Sequence, residues 1–453
     1  MTPAVDGWPP GYLSKHCFST KVAEAFGTVA AALSHPYTSR TVPIFSRSSM
    51  KLATVALPLL MVGLTSCRRN PFTDYPAGYR EFAYVADGDS DTVAVLDLVY
   101  LRQDRVLQVG HQPTGLAINP IRNEVYAVNT GSDSVSVIDA EHNRVVATIG
   151  VHHTPYFIEV APDGKRAYVA NSASNTVSVL DLDKRREIAV AATGEGPGVA
   201  RVSPDNRTLV VSNRIAGSVS IYSISDSKNQ PLQLREAFSG CPGATDAVIE
   251  ADDPTHPASG SKVFVACSGG HQIMDIWLSA TADSWNGQQD STLQHDHILA
   301  LLDVGKTPTH LALKPDNGEV FSTNFDSDSI SEISTGTNEV TSTYVIGAKP
   351  SRAIVSRDNT SLWVTNFGAD SANLYSIDDG RIVTGVRTGS RPDAIAFSID
   401  RNSDTEHLLL VANSGSGDVA VIRTSSKNGP ELFTMLPAGK HPNDIVVKAF
   451  TAK

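Results

Sequence analysis

Short apolar segments that end in an aspartate or an amide recur along the chain from residue 82 onward. The first three read YVAD, YAVN and YVAN, and they end at Asp87, Asn129 and Asn171. The later members of the series end at Asn213, Cys267, Asn324, Asn366 and Asn413. Apolar runs of this length, most of them followed by turn-forming residues, predict eight buried β-strands with tight turns after them.

A second series, of eight prolines, alternates with these strand ends. The prolines are Pro113, Pro155, Pro197, Pro242, Pro308, Pro350, Pro392 and Pro442. In the regular part of the chain 26 residues separate a strand end from the next proline, and 16 separate that proline from the next strand end. The repeat unit is therefore 42 residues long, and a fixed period of about 20 to 50 residues is typical of solenoids, propellers and other repeat arrays.

One unit holds four short β-rich segments and no stretch long enough for a helix. After Pro113 these segments are 116–118, 125–128, 134–139 and 145–149. Four antiparallel strands per unit are the signature of a propeller blade, and blades bury their faces by stacking around a ring. We predict an all-β chain with a single closed β-propeller of eight four-stranded blades, with strands A to D from the channel outward. Seven blades remain the alternative if the irregular fifth unit is not a blade.

The strands at the two ends predict how the ring closes. The array opens on a B strand at 82–86 and finishes on an A strand at 443–448. The C-terminal strand is therefore expected to complete the first blade, which protects sheet edges that would otherwise be exposed.

The fifth unit carries two insertions. Nine extra residues fall between strands A and B, around 252–257, and 15 fall between C and D, around 283–287. Because A–B and C–D turns lie at the same end of a blade, both insertions should meet on one face of the ring. The opposite face carries the D–A and B–C loops, where propellers usually bind ligands.

The segment before the repeats has the features of a targeting signal. An apolar run at 52–64, too short to span a bilayer as a helix, leads into the residues LTSC, whose cysteine is Cys67. This ending resembles the lipobox of bacterial lipoproteins, which implies lipidation of Cys67. We predict an upstream extension outside the mature protein at 1–49, a lipoprotein signal peptide at 50–66, a tether at 67–80 and the propeller at 81–453. The expected location is the cell envelope, at the outer membrane or facing the periplasm, with the membrane as a partner through the lipid anchor.

Two cysteines of the mature chain, Cys241 and Cys267, are expected to form a disulfide. Lipidation of Cys67 leaves them as an even pair in an oxidising compartment. Cys241 precedes Pro242, the predicted start of strand A in blade five, and Cys267 ends strand B of that blade. Because A and B run antiparallel, the start of A lies opposite the end of B, within the reach of a disulfide.

The repeat also resembles a known family. Its strand ends, its Gly-x-x-Pro starts and its turns APDG at 161–164, SPDN at 203–206 and KPDN at 314–317 are similar to those of the YVTN β-propeller repeat proteins. The resemblance covers residues 82–449 and implies a propeller. Many proteins of this family look like surface or periplasmic binding modules. Related propellers resemble lactonases and the propeller subunits of amine or quinoprotein dehydrogenases.

Charge and motif content exclude several classes of function. The net charge is -11 and no run of Lys or Arg follows any segment, whereas nucleic-acid binding needs a basic surface. The sequence has no Cys-x-x-Cys-His haem site, no His-Glu-x-x-His, no Gly-x-Ser-x-Gly and no phosphate-binding glycine loop. We therefore expect no nucleic-acid partner, no cofactor and none of the easily recognised enzyme classes.

Two groups of residues are candidate sites. The first lies near the starts of strand A or the B–C turns, where it would line an anion-binding or catalytic mouth, or alternatively a solvated rim. Its members are His111, His153, His271, Lys349, Arg352, Arg391 and His441. The second would bind a metal through His295 and His297, because a His-x-His pair in a strand places both rings on one side, together with His256 on the neighbouring insertion. The alternative is that these three are exposed loop histidines.

Two hypotheses about function follow. The first is a non-catalytic binding or scaffold module of the cell envelope, supported by the anchor signal, the lack of catalytic motifs and the family resemblance. The second is a periplasmic propeller enzyme or enzyme subunit, similar to lactonases or associated with quinoprotein or amine dehydrogenases. An enzyme of this kind needs an acid–base or metal cluster at the central mouth, or a cofactor or a catalytic partner chain.

Overall fold

Thirty-two β-strands form eight four-stranded antiparallel sheets in the part of the chain that the computed structural model describes. That part comprises residues 75–227, 230–251, 261–279, 295–399, 408–426 and 429–452. Each sheet is one blade, so the prediction of eight blades is confirmed. The seven-blade alternative is wrong, because the irregular fifth unit forms a complete four-stranded sheet.

Within a blade the strands are named in chain order, and short turns connect them. Blade one contains β1 (Tyr79–Asp87), β2 (Thr92–Asp97), β3 (Arg102–Gln108) and, as its inner strand, β32 (Pro442–Thr451). Blade two contains β4 (Pro113–Ile118), β5 (Glu124–Asn129), β6 (Ser134–Asp139) and β7 (Arg144–Gly150), and blade three contains β8 (Pro155–Val160), β9 (Arg166–Asn171), β10 (Thr176–Asp181) and β11 (Arg186–Ala192). Blade four contains β12 (Pro197–Val202), β13 (Thr208–Asn213), β14 (Ser218–Ile224) and β15 (Leu232–Ser239), and blade five contains β16 (Ala244–Ile249), β17 (Ser261–Cys267), β18 (Gln272–Leu278) and β19 (His297–Asp303).

The remaining blades follow the same order. Blade six contains β20 (Pro308–Leu313), β21 (Glu319–Asn324), β22 (Ser329–Ser334) and β23 (Glu339–Val345). Blade seven contains β24 (Pro350–Val355), β25 (Ser361–Asn366), β26 (Ser371–Ser376) and β27 (Arg381–Arg387), and blade eight contains β28 (Pro392–Phe397), β29 (Leu408–Asn413), β30 (Asp418–Arg423) and β31 (Glu431–Pro437). Single 3₁₀ turns follow strand B at Gly88–Ser90, Thr130–Ser132 and Phe325–Ser327. Over the described residues there is no helical segment with the length and hydropathy of a membrane span.

The C-terminal strand closes the ring as predicted. β32 pairs antiparallel with β1, from Tyr79 opposite Thr451 to Asp87 opposite Pro442. β1 begins two residues before the predicted start of the propeller at 81, and β32 extends past the predicted 443–448 at both ends. Blade one is therefore built from both ends of the propeller chain, which holds each end in a sheet.

The hydrophobic core lies between the blades. Strands B and C are buried on both faces, and this explains why their apolar runs are largely continuous. Between blades one and two, for example, Tyr84 and Val95 pack with Leu116 and Val125. Each blade thus buries its faces only against its neighbours, as a repeat array requires.

Blade five contains the predicted disulfide. Cys241 and Cys267 are bonded and fully buried, with their Cα atoms 4.7 Å apart. In blade two the glycine before strand A packs closely on the amide that ends strand B, so that a Cβ on Gly110 would lie 2.7 Å from the Cβ of Asn129. Cys241 and Cys267 occupy the positions of this glycine and this asparagine, and the covalent bond replaces a contact that the repeat already makes.

The start of strand A in blade five differs from the prediction. The proline series places it at Pro242, whereas β16 begins two residues later, at Ala244. Ala244 pairs with Cys267 in the same way that the strand A prolines of other blades pair with the asparagines that end strand B. Gly243, with a φ of 67°, occupies the left-handed position that precedes strand A. Pro242 therefore belongs to the D–A connection.

Several predictions concern residues outside the described ranges. The two insertions of blade five separate β16 from β17 and β18 from β19, but their centres at 252–257 and 283–287 are not among the described residues. The same holds for the extension at 1–49, the signal peptide at 50–66 and the lipidation site Cys67. These assignments stay predictions.

Candidate functional site

The eight inner strands surround a central cavity of 920 Å³. Strand A of every blade contributes to its wall, from β4 in blade two to β32 in blade one. Ionisable side chains interrupt these largely apolar strands at the second, third or fifth residue from the strand start. They are Glu159, Arg201, Asp246, His310, Arg352, Asp393 and Asp444.

Arg201 joins two carboxylates in the cavity wall. Its Nη1 lies 3.0 Å from Oε2 of Glu159, and its Nη2 lies 3.2 Å from Oδ1 of Asp246. Its Nε donates to the carbonyl oxygen of Ala247 at 3.0 Å, and its Cζ lies 4.7 Å from the ring centroid of Phe157. Burial disfavours the charge, but the two carboxylates outweigh burial and raise the pKa of Arg201. The guanidinium is therefore bound to protein partners on each of its three nitrogens.

Backbone amides also hold the two carboxylates that bind Arg201. Oε1 of Glu159 accepts a hydrogen bond from the amide of Val202 at 3.0 Å. Oδ1 of Asp246 accepts one from the amide of Ala247 at 2.9 Å, and its Oδ2 accepts one from the amide of Leu311 at 3.1 Å. Hydrogen bonds from backbone amides favour the ionised form of a carboxyl and fix its orientation.

His310 faces Asp246, with Nε2 3.7 Å from Oδ2. Its Nδ1 accepts a hydrogen bond from the amide of Ala353 at 3.3 Å, so the neutral ring carries its proton on Nε2, towards Asp246. Burial lowers the pKa of His310 to about 4, because the guanidinium groups of Arg352 and Arg201 counteract the attraction of Asp246. Burial acts in the opposite direction on Asp246, but His310 and the two arginines lower its pKa. At neutral pH we expect an ionised Asp246 and a neutral His310.

Arg352 and Asp393 differ from this cluster because each has a group without a protein partner. Nε of Arg352 donates to the carbonyl oxygen of Asp393 at 3.3 Å. Over the described ranges, no carboxylate lies within 4.0 Å of the Arg352 nitrogens, and neither carboxylate oxygen of Asp393 has a hydrogen-bond partner. Burial raises the pKa of Asp393, although Arg352 and His441 act in the opposite direction. Arg352 and Asp393 thus both line the cavity, with a guanidinium edge and a carboxyl that no described side chain engages.

Asp444 has a structural role at the same level of the channel. Its Oδ2 accepts a hydrogen bond from the amide of Leu116 at 2.7 Å, and its Oδ1 accepts one from the amide of Ile445 at 2.9 Å. Burial raises its pKa, although these bonds and Arg352 act in the opposite direction. Asp444 therefore ties blade one to blade two on the channel side.

Aromatic rings and cations lie at the end of the channel that the B–C turns surround. The Nζ of Lys349 is 5.1 Å from the ring centroid of Phe325, and the Cζ of Arg391 is 5.9 Å from that of Phe367. The two rings are 6.0 Å apart between centroids. Phe325 also contributes to the cavity wall.

The structure separates the seven residues predicted to line an anion-binding mouth. Arg352 faces the cavity, and Lys349 and Arg391 lie over the phenylalanine rings at its end. His111 and His153 are exposed on the rim, where their Nδ1 atoms lie 2.8 Å from Asp91 and 2.7 Å from Asp133.

The other two histidines of that prediction join neighbouring turns of the rim. Nδ1 of His271 accepts a hydrogen bond from the amide of Thr307 at 3.2 Å, and the carbonyl oxygen of His441 accepts one from the amide of Gly88 at 3.1 Å. A direct role of the rim histidines in ligand binding stays a prediction.

The predicted metal site cannot be assembled from the described residues alone. Nδ1 of His297 lies 2.9 Å from the carbonyl oxygen of His295. The residue between them, Asp296, is held by Nε and Nη2 of Arg235 at 2.9 and 2.8 Å. The described part of the chain contains no group of three His, Cys, Asp or Glu side chains placed to hold a metal ion. His256 lies outside the described residues, so the three-histidine site stays a prediction.

Most of the ionisable residues of the cavity wall were not predicted from the sequence. A signal was present, because a charge in the middle of an inner strand is unexpected when the neighbouring positions are apolar. The strands PYFIEV and PGVARV, which carry Glu159 and Arg201, show this pattern.

Comparison with known proteins adds a partial family match. A family model described as "Lactonase, 7-bladed beta-propeller" matches residues 116–240. The chain is similar to this family over blades two to four. The matched range includes Glu159 and Arg201, but it covers less than a third of the chain, and this propeller has eight blades. No curated protein matches the chain.

Solved structures show the same fold at low sequence identity. The dihydro-heme d1 dehydrogenase NirN in complex with DHE is 15% identical with a TM-score of 0.61, over 86% of this chain and 78% of that one. AztD from Citrobacter koseri is 15% identical with a TM-score of 0.56, over 83% and 99%. A 6-phosphogluconolactonase assignment is attached to a Bacteroides fragilis protein that is 14% identical with a TM-score of 0.54, over 83% and 100%. At these identities the likeness shows the fold alone.

Proposed function

We propose that this chain is a non-catalytic binding module of the cell envelope whose central cavity takes a small organic acid. The observation that carries the proposal is the guanidinium of Arg352, which faces the cavity with no carboxylate of the described residues within 4.0 Å. The neighbouring Asp393 offers a carboxyl whose oxygens accept no hydrogen bond from any described residue. This pair complements a ligand that carries both an anionic group and a hydrogen-bond donor.

The state of the other ionisable groups supports binding rather than acid–base catalysis. Glu159 and Asp246 are held by Arg201 and by backbone amides. Both ring nitrogens of His310 face protein partners, and a pKa of about 4 makes it a weak base at neutral pH. An efficient general base needs a free lone pair within reach of the substrate and a pKa near the working pH.

We extend this proposal to the placement of the protein in the cell. The lipobox resemblance at Cys67 and the tether that follows it would hold a YVTN-type propeller at a bacterial membrane. The disulfide between Cys241 and Cys267 supports an extracytoplasmic location, because disulfides persist in oxidising compartments.

The test of the proposed function is calorimetric titration of the full chain in detergent with a panel of small carboxylic acids. Arg352→Gln removes the charge and leaves a shorter polar side chain. Loss of a charge-assisted hydrogen bond should weaken binding of the acids by about 10- to 100-fold. The matched control is Arg381→Gln, which removes an exposed arginine of the same blade that pairs with Asp379 at 3.2 Å.

The control variant should bind every acid as the wild type does. If the wild type binds none of the acids in the panel, the proposed function is wrong. Equal binding by the wild type and Arg352→Gln would show that acids bind elsewhere and would refute the assignment of the cavity.

A lactone-hydrolysing enzyme is the second candidate, and the partial family match favours it. Such an enzyme needs His310 or a carboxyl of the cavity to activate water. The decisive assay measures the hydrolysis of aldonolactones by the wild type and by His310→Gln, with proton release as the readout. If the wild type hydrolyses a lactone and His310→Gln does not, the cavity is catalytic and the proposal of a non-catalytic binding module is wrong.

A further inference from the structure

The residue that follows strand B lies at the end of the channel in every blade. In blade order these residues are Gly88, Thr130, Ser172, Arg214, Ser268, Phe325, Phe367 and Ser414. Five of them are small or hydroxylated, which is usual for a solvated turn. Blades six and seven instead place two phenylalanines next to each other, where the repeat itself requires no ring.

The two phenylalanine rings are half-buried rather than part of the core. Their centroids are 6.0 Å apart and their planes are inclined by 51°. Lys349 and Arg391 each lie near one ring, so each ring has a cation beside it. Phe325 belongs to the wall of the same cavity as Arg352.

A second combination of ring and cation stands across the channel. Tyr156 is exposed, lines the same cavity and lies 5.6 Å from the Cζ of Arg214, measured to its ring centroid. Blade three, which carries Tyr156, is four places from blade seven in the ring of eight blades, and therefore opposite to it. The entrance to the cavity thus has aromatic rings and guanidinium or ammonium groups on two facing sides.

We infer that the acid taken by the cavity carries a flat aromatic ring that packs against Phe325 while its carboxylate reaches Arg352. The inference rests on the proposed function, because it names the class of ligand for the same cavity. Aromatic rings pair in offset or edge-on arrangements, and guanidinium groups stack on ring faces. A saturated acid of equal charge would keep the contact with Arg352 but would lose the contact between rings.

The test compares two acids that differ only in the ring. The full chain in detergent is titrated calorimetrically with 4-hydroxybenzoate and with trans-4-hydroxycyclohexanecarboxylate. The aromatic acid should bind about five- to tenfold more tightly, as expected for one ring–ring contact. Phe325→Leu, which keeps an apolar side chain but removes the ring, should reduce this preference to about twofold or less.

Tyr100→Leu is the matched control, because Tyr100 is an exposed ring with the Cζ of Arg102 at 5.4 Å, in blade one and outside the cavity wall. This variant should keep the full preference for the aromatic acid. Equal affinities of the wild type for the two acids would overturn the inference while the proposed function stands. Binding of neither acid to the wild type would also overturn the inference, whereas the proposed function falls only if no acid of the wider panel binds. A preference that survives Phe325→Leu would also refute the assignment of the ring contact.

Discussion

Replacing Asp275 with asparagine should stabilise the propeller at alkaline pH and reduce the pH dependence of its stability. Asp275 lies in β18 of blade five and is fully buried. Within the described residues neither of its carboxylate oxygens has a hydrogen-bond partner. Burial raises its pKa to about 7, although Lys262 acts in the opposite direction.

The surroundings of Asp275 explain why its carboxyl has no partner. Phe264 is its opposite residue in β17. Phenylalanine has no hydroxyl to offer, and the amine of Lys262 is bound to blade six.

Two further charged groups act on this site. Lys262 donates to Oδ1 of Asn338 at 2.7 Å and also to the carbonyl oxygen of Thr335. Burial also raises the pKa of Glu250 to about 7, and Asp275 contributes to that increase. Two carboxyls thus share one ammonium group that is itself bound to the next blade.

The sign of the effect follows from proton linkage. A carboxyl whose pKa is raised on folding stabilises the fold below its unfolded pKa and loses this contribution as the pH rises through its folded pKa. For Asp275 the window extends from about pH 4 to about pH 7. One pKa unit corresponds to about 1.4 kcal/mol. The change in pKa from 3.8 to about 7 therefore sets an upper limit of about 4 kcal/mol on the stability that is lost when Asp275 ionises.

An asparagine at this position cannot ionise, but its amide would be unpaired. Leaving a buried amide unpaired costs about 1 to 2 kcal/mol, so the net gain of Asp275→Asn above the folded pKa is about 2 kcal/mol. For a chain of this size, that gain corresponds to about 2 to 3 °C in the melting temperature. At a pH near the unfolded pKa, the wild type should be at least as stable as the variant, because its Asp275 is then protonated.

The assay is thermal unfolding of the wild type and the variant at about pH 5 and about pH 8, with Asp226→Asn as the control for loss of an exposed carboxylate. The melting temperature of the wild type should fall between the two pH values by more than that of Asp275→Asn. The melting temperature of the variant should still decrease somewhat between the two pH values, because Glu250 also ionises in this range. Identical pH dependence in the wild type and the variant would refute the reasoning.

Two other predictions concern the cysteines. Cys67→Ala should move the protein from the membrane fraction to the soluble fraction or block its processing, and an unchanged distribution on fractionation would contradict the lipoprotein assignment. Cys241→Ser should lower the free energy of unfolding by about 3 kcal/mol, as expected for a loop of this length, measured by urea denaturation. If the variant is less stable than the wild type without reductant, and the two are equally stable after reduction, the effect is due to the disulfide bond.

The fold was predictable because its determinants recur at fixed spacing. The amide that ends strand B shows one such determinant, since Nδ2 of Asn129 donates to the hydroxyls of Ser134 and Ser136 at 3.1 and 3.0 Å. Nδ2 of Asn324 makes the same two bonds in blade six. Residues that perform one task in each blade give a periodic signal, and a single sequence is enough to detect it.

The start of strand A in blade five shows where this reasoning fails. The local sequence makes Pro242 look like the start of a strand, but the pairing of Ala244 with Cys267 sets the register. The disulfide fixes Cys241 where most other blades have a glycine, and the proline moves into the connection. A position defined by a partner in another strand cannot be read from its own neighbours in sequence.

The cavity was not predictable for a related reason. The third residue of strand A borders the cavity in every blade, and no contact common to all blades constrains it. These residues are Gly115, Phe157, Val199, Asp246, His310, Arg352, Ala394 and Asp444 in order along the chain. Their variety contrasts with the uniform strand ends a few residues away. The repeat thus leaves these positions free to differ, and together with the second and fifth positions of strand A they set the chemistry of the cavity without any change of fold. Proteins that share the fold at low identity can therefore differ in ligand, and the residues to compare among them are those of strand A that border the cavity.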